Sequence, residues 1–151
     1  MKKIVIVGFG NMGCRHVQSI LENSAAYEIH VVEPSEENIK ANAARIGCDP
    51  NSITWHKSLE TLHREFSAAV VTTSAAPRFH ILKTLLAKGI KRFLVEKVVF
   101  QSVEQFDEIL GLMQENGAEM HCNFVRRYIT SYNTIKNELA AKAEKDRRAH
   151  V

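Results

Sequence analysis

Long hydrophobic runs are missing from this 151-residue chain. The longest apolar stretches, such as Ala68-Ala69-Val70-Val71 and Val98-Val99-Phe100, fall far short of the ~20 residues that cross a bilayer as a helix. A secretory leader is not expected either, because the run Ile4-Val5-Ile6-Val7 behind Met1-Lys2-Lys3 breaks at Gly8 and is followed by Asn11 and Arg15. Cysteine is scarce. Cys14, Cys48 and Cys122 are odd in number and lack CxxC or Cys/His ligand spacing, so three reduced thiols are expected, with neither a disulfide nor a zinc site. Neither sign of charge dominates: 20 Lys+Arg against 17 Asp+Glu leave a net +3, too little and too scattered to indicate nucleic acid or an anionic membrane surface. A cytoplasmic location is the expectation. With 45% hydrophobic, 25% charged, only three prolines and seven glycines, disorder, collagen and low complexity are excluded. A chain this long buries on the order of 70% of its unfolded surface, enough for a core without staples.

What is present is alternation. Short β-branched runs exchange with helical patterns, the signature of βαβ units and a parallel sheet with helices on both faces. Five or six strands fit. The first is Lys3 to Val7, followed by a helix from about Asn11 to Glu22 with Val17, Ile20 and Leu21 on its apolar face. Glu28 to Val32 reads as the second strand. Ser35 then caps a helix with Glu36 and Glu37 in its first turn, Ile39, Ala43 and Ile46 on its buried face, and Gly47 as its stop. Ile53 to Trp55 is a short third strand, Ser58 a further N-cap, and Ala68 to Thr72 a fourth strand apolar enough for the centre of a sheet. Pro77 sits in the first turn of a helix carrying Ile81, Leu82, Leu85 and Leu86, which Gly89 closes before the strand Arg92 to Val95. Ser102 with Gln105 predicts a capping box ahead of Val103, Phe106, Ile109, Leu110 and Met113; Gly117 ends that helix before a sixth strand, Glu119 to Asn123. Tyr132, Ile135 and Leu139 mark a last amphipathic helix, and the six charges between Lys142 and Arg148 read as a solvated helix end or frayed tail. The division predicted is a domain over 1–127 and a helix with charged tail over 128–151.

Gly8-Phe9-Gly10-Asn11-Met12-Gly13 is a GxGxxG that follows a strong strand and opens a helix, the context in which the motif carries meaning. Gly8 permits the tight turn, Gly10 lets the backbone approach a pyrophosphate, and Gly13 allows close packing of helix on strand. The helix N-terminus then offers free N–H groups to the anion. Glu33 ends the second strand twenty residues after Gly13, where a carboxylate can accept hydrogen bonds from the ribose hydroxyls of an adenosine. It would repel a 2′-phosphate, and Pro34 and Ser35 supply no arginine to receive one, so NAD is expected over NADP. FAD fits the same fingerprint less well.

The other polar strand ends gather at the carboxyl edge, where a parallel sheet holds its ligand crevice. In chain order, VGFGNMG at 7–13, Glu33, TTSAAPRFH at 72–80, GIKRFLVEK at 89–97 and NFVRRY at 123–128 resemble the Gfo/Idh/MocA family of nicotinamide oxidoreductases. The resemblance covers about 140 residues, but only the N-terminal half of the family's enzymes. It implies a doubly wound α/β Rossmann fold in three α/β/α layers, with the second α/β domain absent. It further implies that Thr73 and Ser74 line the nicotinamide side, that His80 takes the family's histidine position, and that Asn123 and Arg127 follow the sixth strand beside the cofactor. Glu96 and Lys97 match the first two residues of the family's Glu-Lys-Pro signature, which makes Lys97 the candidate catalytic residue, able to hold a substrate hydroxyl or a nicotinamide ribose. Val98 replaces the proline and removes its constraint on the turn.

Arg126 and Arg127 could grip a carboxylate or phosphate or form a surface or domain contact, and the sequence does not choose. Cys14, in the first turn of the phosphate-loop helix, is read as a packing residue rather than a stabilised thiolate. His16, His30, His56, His63, His121 and His150 show no metal spacing and receive no chemistry. Hydride transfer also needs a group to shuttle the hydroxyl proton, and in the resembled family that group lies in the second domain. Two function classes therefore stand: the cofactor domain of an oxidoreductase acting on a sugar, cyclitol or similar alcohol, and a dinucleotide-binding or regulatory module without turnover. A homo-oligomer, or a partner chain supplying the second domain, fits either.

Overall fold

Runs such as Ile4-Val5-Ile6-Val7 and Ala68-Ala69-Val70-Val71, apolar at every position, satisfy a strand buried on both faces and would leave one side of an antiparallel sheet wrongly exposed. In the computed structural model, which describes residues 1–23, 26–63 and 65–149 with side chains of the last helix described to 143, these runs lie side by side. The strands β1 (Lys2–Val7), β2 (Tyr27–Val32), β3 (Thr54–His56), β4 (Ala68–Val71), β5 (Arg92–Val95) and β6 (Glu119–Cys122) form one sheet ordered β3-β2-β1-β4-β5-β6. Every pairing is parallel, with Val7 beside Val32 on one side and Val71 on the other. The helices are α1 (Asn11–Asn23), α2 (Glu36–Ile46), α3 (Ala75–Ala87), α4 (Val103–Asn116) and α5 (Thr130–Ala149).

The core has two leaves. Val5, Val7, Ala69, Val71, Phe93 and Val95 pack with Leu82 and Leu85 of α3 and Ile109 and Met113 of α4. On the other face Ile6, Val31 and Val70 pack with Val17 of α1 and Ala43 of α2. The chain winds outward from β1 through β2 to β3, then returns across β1 to β4, so a crevice opens at the carboxyl ends of β1 and β4.

Caps follow the sequence closely. Ser35 accepts from the N–H of Asn38, and Gly47 and Gly117 close their helices at φ +67° and +59°. Several expectations need correction. The third strand is Thr54–His56, one residue later than Ile53 to Trp55, because Ile53 closes a 3-10 turn over Pro50–Ser52 and turns into the core. Ser58 precedes only a 3-10 turn, Leu59–Thr61, and makes no side-chain cap. Thr72 and Asn123 lie just beyond β4 and β6 rather than within them. The reciprocal arm of the capping box is displaced: Ser102 accepts from the N–H of Gln105, but Gln105 accepts from the N–H of Gln101. Leu21 on α1, and Val103, Phe106 and Leu110 on α4, are 40–69% exposed instead of buried, since each helix meets the sheet over a narrower stripe than its apolar pattern covers. Residues 142–148 continue α5 as a helix. His150 lies outside the described residues.

Candidate functional site

The glycine turn is dictated by backbone geometry. Gly8 has φ +93°, a conformation L-residues rarely adopt, and its N–H donates to Val32 O so that β1 and β2 stay in register to their ends. A Cβ on Gly13 would stand 2.0 Å from Gly8 O, so α1 can start only this close to β1 with glycine there. Gly10 is different: nothing lies within 4 Å of the position its Cβ would take. That open space adjoins the first N–H groups of α1, which is where an anion fits. Thr72 secures the turn from the next strand by donating to Val7 O (3.0 Å) and Gly8 O (2.8 Å).

Phe9, between the first two glycines, is fully buried with its ring edge-on to Trp55 at 5.0 Å. Its N–H donates to Glu33 Oε2 at 2.9 Å. Glu33, only 7% exposed, stands at the end of β2 and accepts through Oε1 from the N–H of Ser35 at 3.0 Å. One carboxylate thus joins the glycine turn to the start of α2. It also lines a cavity of about 430 Å³ with Ile39, Lys40, Trp55 and Lys57.

Across the switch point a second crevice, of about 370 Å³, brings together Asn11, Met12, Thr72, Thr73, Ser74, Arg78, Glu96, Lys97 and Val125. Glu96 is its buried acid. Its Oε1 accepts from Asn123 Nδ2 at 2.6 Å and lies 2.9 Å from His16 Nε2. Burial raises the Glu96 pKa, but the bonds from Asn123 and His16 and the positive charge of Arg78 outweigh it and hold the group below the ordinary carboxylate value. Arg78, 3% exposed, gives its guanidinium to the backbone carbonyls of Thr73, Glu96 and Val98, tying the end of β4 to the end of β5. Lys97 itself is exposed, and the Lys97–Val98 peptide bond is cis. Thr73 Oγ1 is buried without a hydrogen-bond partner among the described residues, so a polar ligand group in this crevice would relieve a real deficit.

Seven of the residues singled out in the sequence converge here: Asn11, Met12, Thr73, Ser74, Glu96 and Lys97 in the crevice, with Asn123 bonded to its acid. Others stand apart. His80 is exposed on α3 with its ring 5.2 Å from Phe79, and Arg126 and Arg127 lie over the rings of Tyr132 and Phe124. Neither His16 nor Arg78 stands out in the sequence as a site residue. A lone histidine and a lone arginine carry no spacing signal; only the fold brings them to Glu96. His30 and His56, also given no chemistry, are bonded ring to ring at 2.9 Å, with Glu28 on the far side of His30. Cys14 is fully buried under α1 in the smaller core leaf.

The Gfo/Idh/MocA family model, described as an oxidoreductase family with an NAD-binding Rossmann fold, matches residues 2–124. Solved structures share the fold at low identity. UDP-N-acetylglucosamine 3-dehydrogenase from Acidithiobacillus ferrooxidans superposes with TM-score 0.72 at 20% identity, over 90% of this chain and 41% of that one. An oxidoreductase from Bacillus cereus gives 0.77 at 19%, over 93% and 40%. Scyllo-inositol dehydrogenase from Lactobacillus casei, solved with NAD(H) and scyllo-inositol, gives 0.76 at 16%, over 93% and 41%. The chain therefore spans about two-fifths of the length of these proteins. A glycine turn with a buried acid beside it, and a family match running over residues 2–124, identify this chain as a member of the Gfo/Idh/MocA oxidoreductase family carrying its NAD-binding Rossmann domain.

Proposed function

We propose that this domain binds NAD(H) in preference to NADP(H), as the cofactor half of an enzyme that oxidises or reduces a sugar, cyclitol or similar small alcohol. The observation that carries the reading is Glu33, a buried carboxylate bonded to the Phe9 N–H of the glycine turn at 2.9 Å. From there it can accept from ribose hydroxyls while opposing the charge of a 2′-phosphate. The first N–H groups of α1 and the open space over Gly10 take the pyrophosphate. Thr73 and Ser74 flank the nicotinamide, where the unpartnered Thr73 hydroxyl gains a bond. Bound NAD supplies the hydride acceptor.

Lys97 faces the reacting hydroxyl or the nicotinamide ribose and orients it through its ammonium donors. Glu96 does not react. Held by His16, Asn123 and the Arg78 brace, it keeps the turn that carries Lys97 in place. Domain boundaries near residue 127 and activity on an alcohol of this class belong to the same proposal. The solved relatives that act on UDP-N-acetylglucosamine and scyllo-inositol support that substrate class.

Isothermal titration of the chain with NAD+, NADH and NADP+ tests it. Saturable binding that favours NAD(H), and a narrowed preference in Glu33→Ala, are expected; equal affinity for NADP+ in the parent chain would overturn the ribose assignment.

A further inference from the structure

We infer that one polar face of α2 sets the aim of the phosphate-binding backbone, with Asn42 and Arg45 as positioning residues that never touch the cofactor. The inference rests on the dinucleotide reading above. Asn38, Asn42 and Arg45 are spaced four and three residues apart, so they share one side of a helix. Each reaches a different part of the site. Asn38 Nδ2 donates to Glu33 Oε1 at 3.4 Å, Asn42 Nδ2 to Phe9 O at 2.6 Å, and Arg45 Nη1 to Asn11 Oδ1 at 2.5 Å. Arg45 Nη2 also lies 3.4 Å from Asn11 O and 2.5 Å from Cys14 Sγ.

The Asn42 bond matters because of peptide planarity. The Phe9–Gly10 bond is trans, so the Phe9 C=O and the Gly10 N–H lie in one plane and point in opposite directions. By holding the carbonyl toward α2, Asn42 turns the Gly10 N–H away from α2, and the position a Gly10 Cβ would take is itself open, with nothing within 4 Å. No acceptor within the described residues takes that N–H. Phe9 is then fixed at three points: its N–H on Glu33, its carbonyl under Asn42, and its ring in the core. Arg45 acts in the same way two residues further on, by fixing Asn11 at the start of α1. Since α2 begins beside Glu33, the same helix couples the acid that meets the ribose to the donors that meet the diphosphate.

Titrations of the full chain with NADH, ADP-ribose and adenosine distinguish this role from a merely structural one. In Asn42→Ala, affinity for NADH and ADP-ribose should fall by about 10-fold, the factor that corresponds to one lost hydrogen bond. Adenosine, which has no diphosphate, should bind as in the parent, and the melting temperature should drop by no more than ~4 °C. Asn42→Asp keeps the size but cannot donate when ionised, so it should lose at least as much. Arg45→Lys, which keeps the charge without the planar fork, should behave like Arg45→Met. Unchanged ADP-ribose affinity in both Asn42 variants overturns the inference, as does an equal loss for adenosine; parent-like binding in Arg45→Lys would overturn the role of Arg45. Failure of the parent chain itself to bind NADH would instead refute the proposed function.

Discussion

At the scale of single residues, the three glycines of the turn do different jobs, and substitution separates them. Gly10→Leu should fold with stability within ~0.5 kcal/mol of the parent, because its Cβ meets nothing within 4 Å. It should nevertheless lose dinucleotide binding, since the side chain fills the space meant for the anion. Gly13→Ala should do the reverse in kind. Its Cβ would press on Gly8 O at 2.0 Å, a contact with backbone that cannot swing aside, and the cost should be about 3 kcal/mol. Thermal melting beside titration with NADH reads both effects. The glycines and Glu33 were legible because their spacing is itself the signal. His16 and Arg78 were not: their partners are Glu96, eighty residues away from His16, and carbonyls of loops up to twenty residues from Arg78.

At the scale of elements, α4 shows how an apolar pattern overstates a buried face. Val103, Phe106, Ile109, Leu110 and Met113 read as one stripe, yet Ile109 is fully buried and Leu110 is 44% exposed. Consecutive residues on a helix lie ~100° apart, so a sheet that meets only a narrow arc of the helix takes one of them and leaves its neighbour. Ile109→Ala should therefore cost about 2–5 kcal/mol, and Leu110→Ala under about 1 kcal/mol, by chemical denaturation. The polar side of α2 carries the opposite lesson. Asn38, Asn42 and Arg45 look like ordinary solvated helix residues, and only the packing of α2 beside the glycine turn gives them partners.

At the scale of the whole molecule, two titrating groups, the buried Glu96 and the half-buried His56, make stability depend on pH. Glu96 has its pKa lowered in the fold; burial pushes it up, but Asn123, His16 and Arg78 more than offset this. Its contribution is therefore fully present above the ordinary value of 4.5 and lost as pH falls through the lower folded value. His56 is also held low, by burial first and then by the neighbouring His30 and His63. For a base the folded state then disfavours the proton, so stability is complete above the ordinary value of 6.5 and declines as pH falls below it. Urea midpoints measured from pH 8 down to about pH 2.5 should fall in two stages, the upper one missing in His56→Gln and the lower one, below the ordinary carboxylate value, missing in Glu96→Gln. The exposed apolar side chains Tyr132, Ile135 and Leu139 on α5 take no part in either stage, being 49–61% exposed.

The sequence by itself determined the alternation of strands and helices, the caps that bound them, the all-parallel character of apolar strands, and the glycine turn with its acid. Each of these is local, a matter of period, spacing or backbone conformation that a few neighbouring residues dictate. Only the tertiary structure decided which apolar positions are covered, that β3 starts at Thr54, and that His16, Arg78 and Asn123 converge on Glu96. Those outcomes depend on which element lies against which. In a doubly wound sheet, strands far apart in the chain become neighbours at one carboxyl edge, and a residue there gains its role from partners that its own stretch of sequence does not contain.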